Sequence, residues 1–177
     1  MQKKLDYRAV GQGARASFAA HREEIVAISG VFIFMVNWIA SYLAPPLVLD
    51  SFDDTNKVIA AFSVYLAANW PVLLPAMLVT MFGSLVLYVL LSGRKLAKVG
   101  DAFGIAAALF LTYLTATILT GWATFAGFFL FIIPGLYLTG RFAVLPAVIA
   151  QEPALGITDA VKQTWETTSK CGWAILI

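Results

Sequence analysis

Long apolar stretches alternate with short polar segments along the whole chain. Apolar residues dominate 25–48, 58–91 and 103–150, and charged residues gather between these stretches. A helix needs roughly 20 mainly apolar residues to cross the hydrocarbon core of a bilayer, and each stretch is long enough to do so. The pattern therefore predicts an all-α fold, a polytopic transmembrane helical bundle that forms a single integral-membrane domain over residues 1–177.

The lengths of these stretches predict about four complete spans and the start of a fifth. Residues 58–91 exceed one untilted span and contain Pro71 and Pro75, so we divide them into an amphipathic surface segment, 58–70, and a second span. The stretch 103–150 holds about fifty residues, enough for two crossings at about 1.5 Å per residue. The predicted spans are 25–48, 72–91, 105–119 and 128–149, and residues 172–177 begin a further span of which we expect the remainder to be missing.

Two glycines on either side of Trp122 predict the turn between the third and fourth spans. Gly121 and Gly127 interrupt an otherwise apolar run, and glycine weakens a helix interior. The Pro-Gly pair at 134–135 offers an alternative, either as the turn itself or as a kink within the fourth span. The residues alone leave both alternatives open.

Basic residues cluster in the segments that the predicted spans place on one side of the membrane. Cytoplasmic loops carry an excess of lysine and arginine, whereas the acidic loop 50–57 belongs to the opposite side. The distribution predicts a multi-pass protein with a cytoplasmic N-terminus. The basic residues are Lys3, Lys4, Arg8, Arg15 and Arg22 before span one, Arg94, Lys95 and Lys98 after span two, and Lys162 and Lys170 after span four.

Short amphipathic segments precede the crossings that leave the cytoplasm. Residues 1–24 and 153–170 are predicted to be amphipathic helices on the cytoplasmic side, lying among the lipid headgroups, and 99–103 forms a shorter segment of this kind. One interpretation is a repeated unit of three helical hairpins; the alternative is that loops entering a membrane are commonly basic and aromatic. In 153–170 the apolar stripe is Ile157, Ala160, Val161, Thr164 and Trp165, opposite Asp159, Lys162 and Glu166.

Composition argues against a soluble enzyme and against a metal-binding protein. Hydrophobic residues make up 60% and charged residues 12% of the chain, whereas soluble domains carry about 25% charge. One histidine, His21, and one cysteine, Cys171, predict neither an imidazole metal site nor an intrachain disulfide. The aspartates of 50–54 favour a solvated loop over a weak Ca²⁺ or Mg²⁺ site. We expect a non-enzymatic protein without cofactors that contacts membrane lipids and other membrane proteins or a second copy, but no nucleic acid.

The segments 131–152 and 156–165 carry a recognisable motif, formed by Pro134, Gly135, Pro146 and Trp165. The motif resembles that of the YciC-like family of bacterial inner-membrane proteins and of the membrane domain attached to some glycerophosphoryl diester phosphodiesterases. The resemblance implies a location in the bacterial inner (plasma) membrane and a role in the envelope or its lipids, with no established activity. Phosphodiesterase chemistry is not carried over, because those enzymes resemble barrels with a histidine pair that this chain lacks.

Arg141 is the candidate intramembrane polar site. It lies about 13 Å from the end of the predicted fourth span, close to the midplane, and no acidic residue occurs in any predicted span. Candidate partners are Asn37, carbonyls that Pro146 and Pro134 free, and the hydroxyls of Thr112, Thr115, Thr117 and Thr120. Arg141 either snorkels or locks helix packing in a membrane-organising protein, or it binds an anionic group in a transporter or lipid-handling protein. These two functions are the hypotheses that the sequence supports.

Overall fold

The computed structural model describes residues 7–49, 54–92, 99–152 and 155–168, and within these ranges every regular element is helical. The predicted start of a further span at 172–177 lies outside the described residues. The helices are α1 (Tyr7–Ala20), α2 (Arg22–Ile28), which continues through a π-helical segment (Ser29–Met35) into α3 (Val36–Leu43), α4 (Thr55–Leu91), α5 (Val99–Leu130), α6 (Ile132–Phe142), α7 (Leu145–Gln151) and α8 (Ile157–Thr168).

Three helical stretches are long and apolar enough to cross a membrane. They are Arg22–Leu43, Thr55–Leu91 and Val99–Leu130. The all-helical character of the fold and the presence of long apolar helices are therefore confirmed. The count of four complete spans stays a prediction, because α6 and α7 are each too short to cross alone.

The predicted division of 58–91 into two segments is wrong, because α4 continues through Pro71 and Pro75. Pro71 lacks the N–H that would bond the carbonyl of Ala67, and Pro75 lacks the one that would bond the carbonyl of Pro71. The four-residue spacing places both losses on one face, and membrane helices tolerate such losses. At about 1.5 Å per residue, α4 is about 55 Å long and exceeds the hydrocarbon thickness.

The predicted turn at Gly121 and Gly127 is also wrong. α5 continues through both glycines to Leu130, and the chain reverses at Phe131, whose backbone is extended (φ −162°, ψ 152°). A helix in apolar surroundings keeps its backbone bonds even at glycine, because lipid offers no other partner for them. The reversal lies next to the Pro-Gly pair, which falls in the first turn of α6.

The predicted fourth span, 128–149, is divided among three helices. It comprises the end of α5, all of α6 and most of α7, with a turn at Ala143 and Val144. Pro146 stands in the first turn of α7, where a missing N–H costs little. The proline therefore ends a continuous helix here, instead of only freeing one carbonyl within it.

The chain forms two compact units, Met1–Ser84 and Leu85–Ile177. In the first unit, Phe32 of the π-helical segment packs on Phe82 of α4, with ring centroids 6.1 Å apart. In the second, α5 carries a buried stripe along most of its length, against which the shorter helices pack. The stripe consists of Ala102, Ala106, Leu109, Tyr113, Ala116, Thr120 and Gly127.

Candidate site around Arg141

Arg141 lies in the last turn of α6 with only 3% of its surface exposed. One Nη2 hydrogen is donated to the backbone carbonyl of Trp165 in α8, at 3.0 Å. The guanidinium carbon lies 3.7 Å from the centroid of the Trp165 ring and 5.2 Å from that of Tyr137. A cation held over aromatic rings in desolvated surroundings gains about 2 kcal/mol. The guanidinium is therefore enclosed by side chains and backbone of its own chain.

The sequence of α8 explains why Trp165 reaches Arg141. Ala160, Thr164 and Thr168 recur every four residues and are buried, so small side chains on one face let α8 approach its neighbours closely. The hydroxyls of Thr164 and Thr168 donate to the carbonyls four residues earlier, each at 2.7 Å. This face therefore buries no unsatisfied hydroxyl while it brings the adjacent Trp165 against α6.

Two further contacts tie α8 to the preceding helices. The ring of Trp165 packs on that of Phe142, with centroids 6.3 Å apart, and the Gln163 amide donates to the Glu152 carboxylate at 2.9 Å. Arg141, Phe142 and Trp165 thus form one cluster, which we call the Arg141 clamp. The clamp fastens α8 to the end of α6.

The Nε atom of Arg141 is the donor of the clamp that is left unpaired in the part of the chain that the structure describes. Among the described residues it has no hydrogen-bond partner, although it is buried. A buried polar group without a partner costs about 1–3 kcal/mol, and more when it is charged. The charge is therefore balanced by one carbonyl and two rings, without a nearby carboxylate in the described contacts.

Two of the partners proposed from sequence, Asn37 and Thr115, bond elsewhere. Asn37 donates to the carbonyl of Ile33 at 2.8 Å and to the hydroxyl of Thr80 at 3.2 Å, all within the first unit. Thr115 donates to the carbonyls of Leu111 and Thr112, at 2.9 and 3.0 Å. Neither side chain takes part in the clamp. The sequence pattern placed Trp165 on the apolar stripe of α8. Because that stripe was assigned to the headgroup layer, the pattern did not identify Trp165 as a partner of Arg141.

The motif glycine Gly135 lies where α5 and α6 cross. A Cβ built on Gly135 would overlap the ring of Phe128, and one built on Gly127 would lie 2.7 Å from Cδ1 of Leu138 and 3.3 Å from Cα of Gly135. The two helices can approach this closely only because both positions lack a side chain. Of the motif residues, Gly135 therefore permits the close crossing of α5 and α6, and Trp165 belongs to the clamp.

A groove of about 480 Å³ lies between α5 and α6, on a face of α6 that does not include Arg141. Two of its hydroxyls bond within their own helices: Thr120 donates to the carbonyl of Ala116 and Thr139 to that of Gly135, at 2.8 and 2.9 Å. The residues that line the groove carry no charge. Its lining residues are Thr117, Thr120, Gly121, Thr124, Phe125, Phe128, Thr139, Phe142 and Ala143.

Metal-ligating side chains do not converge anywhere in the part of the chain that the structure describes. Asp54 immediately precedes α4. Its carboxylate accepts the backbone N–H of Asn56 at 3.0 Å and lies 3.6 Å from the ammonium of Lys57, so its contacts are with the first turn of that helix. Asp50 and Asp53 lie outside the described residues.

Comparison with known proteins adds no relative. No protein-family model matches the chain, and no curated protein and no solved structure matches it significantly.

Proposed function

We propose that this chain is a non-enzymatic, multi-pass protein of the bacterial inner membrane that organises lipids or partner membrane proteins. The observation that carries the proposal is the enclosure of Arg141 by Trp165 and Tyr137. A transport or binding site needs its cation to face a cavity, whereas a structural lock needs it satisfied within the protein. The contacts of Arg141 fit the structural role. Similarity to the YciC-like family, which remains a prediction, fits the same role.

The proposed arrangement has the N-terminus in the cytoplasm and α1 and α8 at the cytoplasmic surface. Basic residues flank the apolar helices in the pattern expected for that side. On α1, Arg15 and Phe18 are exposed, and on α8 so are Asp159, Lys162 and Glu166. A helix with a face such as that of α1 binds anionic headgroups through its cations and the acyl boundary through its aromatic residues.

The alternative function is a lipid-handling or transport protein that binds an anionic group near Arg141. The observation that favours it is the unpartnered, buried Nε, which leaves one donor for a phosphate or carboxylate oxygen. This alternative requires α8 to move, because Trp165 covers the guanidinium.

A pair of substitutions separates the two functions. Arg141→Met removes charge and donors, and Arg141→Lys retains the charge without the planar group that stacks on an aromatic ring. For the structural role, we expect both variants to insert normally, to expose α8 to protease in detergent, and to retain as much anionic phospholipid as the unmodified protein. Native mass spectrometry measures the bound lipid, and limited proteolysis measures the docking of α8.

The binding role predicts a different pair of results. Anionic phospholipid would be lost in Arg141→Met and largely retained in Arg141→Lys, with α8 equally protected in both. That outcome would replace the structural proposal with the alternative.

A further inference from the structure

At the turn between α5 and α6, the backbone N–H and the carbonyl of the non-helical residue are both paired within the protein. Phe131 is the one non-helical residue at the reversal; its N–H donates to the carbonyl of Gly127 at 3.1 Å, and its carbonyl accepts the N–H of Gly135 at 3.3 Å. Pro134 has no N–H to satisfy in the first turn of α6. A backbone reversal can enter hydrocarbon only when its polar groups are paired within the protein. This turn fulfils that condition at Phe131.

The same turn exposes an apolar surface. Phe125, Phe129 and Phe131 are 65%, 86% and 73% exposed, and the sequence contains no charged residue between Asp101 and Arg141. Turns that face water are usually built from glycine, proline and short polar residues. A large exposed apolar patch marks a surface that contacts a membrane or another protein. We call the segment Trp122–Leu138 the hairpin tip.

The length of α6 limits how deep the hairpin tip can lie. Arg141 follows Phe131 by ten residues, which is about 15 Å along a helix and about half of the hydrocarbon thickness. The clamp holds Arg141 against α8, whose residues Asp159, Lys162 and Glu166 are exposed. Exposed charges in hydrocarbon are costly, so α8 and the clamp belong at the headgroup level. With α6 upright, the hairpin tip then reaches about the middle of the bilayer, and α5, which is about 48 Å long, extends past the headgroup level on the cytoplasmic side.

We propose that α5 and α6 form a re-entrant hairpin, whose tip inserts into the acyl chains from the cytoplasmic leaflet and returns without reaching the opposite surface. The proposal rests on the cytoplasmic location of α8 given under the proposed function. It retains the placement of the basic segments on one side, because a re-entrant hairpin and a double crossing both return the chain to the side it left. The two arrangements differ in the depth of Phe131.

Depth measurement along the hairpin tip tests the proposal. Single cysteines in a Cys171→Ser background are placed at Trp122, Phe131 and Leu138 in the full chain, and a nitroxide on each is read by electron paramagnetic resonance in phospholipid vesicles. Contact with dissolved oxygen relative to a water-soluble nickel complex reports depth. A re-entrant hairpin predicts the deepest value at Phe131 and shallower values on both sides. A double crossing predicts the reverse, with Phe131 the shallowest, and would overturn the proposal.

Cysteine labelling in intact cells and in inverted vesicles supplies the second measurement. With a membrane-impermeant maleimide, Phe131→Cys is expected to show no labelling from either side and full labelling once detergent is added. Thr55→Cys is the matched control for the outer side, and Lys162→Cys the control for the inner side. Labelling of Phe131→Cys from the outer side would contradict the proposal, and Phe129→Cys replaces that variant if it fails to fold.

The two proposals fail separately. Labelling of Lys162→Cys from the outer side would overturn the orientation given under the proposed function. A shallow Phe131 with Lys162 still reached from the inner side would overturn only the re-entrant hairpin.

Discussion

The two units of the chain accommodate polar side chains by different means. In the first, the neutral amide of Asn37 finds two acceptors, the Ile33 carbonyl and the Thr80 hydroxyl. In the second, the charged Arg141 has one carbonyl, two aromatic rings and an unpartnered Nε. Between membrane helices the hydrophobic effect gives little attraction, so packing and polar contacts decide association. The first unit therefore pairs the amide of Asn37 with two acceptors, whereas the second leaves one donor of its buried cation unpaired among the described residues.

Close helix approach distinguishes the units as well. In the first, a Cβ on Gly83 would overlap Cβ of Phe32, an atom tied to the backbone. In the second, a Cβ on Gly135 would overlap the ring of Phe128, and that ring is exposed and can rotate away. We therefore expect the first unit to be more sensitive to added methyl groups and the second to be more sensitive to the loss of an aromatic ring.

The largest effect is expected from Trp165→Ala. It removes the aromatic ring closest to the guanidinium, a contact that contributes about 2 kcal/mol in desolvated surroundings, together with the packing of that ring on Phe142. Thermal unfolding in detergent measures the loss. In an Arg141→Met background the same change should cost much less, because no charge remains to be balanced. Equal losses in the two backgrounds would show that the ring and the guanidinium are not coupled.

Gly83→Ala is expected to have the next largest effect, about 2 kcal/mol, because α4 or the π-helical segment must shift to relieve the overlap with Phe32. Gly30→Ala is the matched control: a Cβ there meets nothing within 4 Å. Unfolding of the two variants in the same detergent gives the comparison. A control that is as unstable as Gly83→Ala would mean that helix propensity, and not the close approach, determines the result.

Gly135→Ala should destabilise the protein by about 1 kcal/mol, since the Phe128 ring can swing aside at the cost of a less favourable rotamer. Gly121→Ala serves as its control on the same hairpin, because its Cβ would meet nothing within 4 Å. We expect the control to be neutral or slightly stabilising, as alanine favours helix over glycine. If Gly135→Ala exceeded Gly83→Ala in the unfolding assay, the ranking of the two units would be reversed.

The smallest effect is expected from Asn37→Leu and Thr80→Val. Hydrogen bonds between membrane helices contribute about 0.6 kcal/mol on average, and the Asn37 amide also bonds within its own helix. A double-mutant cycle on these two positions isolates the bond between the helices. A coupling as large as that of Arg141 with Trp165 would remove the contrast drawn between the units.

Apolar length and charge placement by themselves determined that the chain is helical, that it contains stretches able to cross a membrane, and that Arg141 is the one charged residue between Asp101 and Glu152. These features depend on local hydrophobicity and on the need of every backbone group for a partner within its own helix. The sequence pattern also separated the polar face of α8 from its buried face at Ala160 and Thr164.

Tertiary structure alone decided where helices continue, where the chain reverses and what Arg141 contacts. Pro71 and Gly121 weaken a helix in isolation, yet α4 and α5 run through both, because apolar surroundings make a broken backbone costlier than a weak helix residue. The partner of Arg141 depends on which helices meet. Trp165 lies 24 positions further along the chain, and only the packing of α8 on α6 brings its ring to the guanidinium.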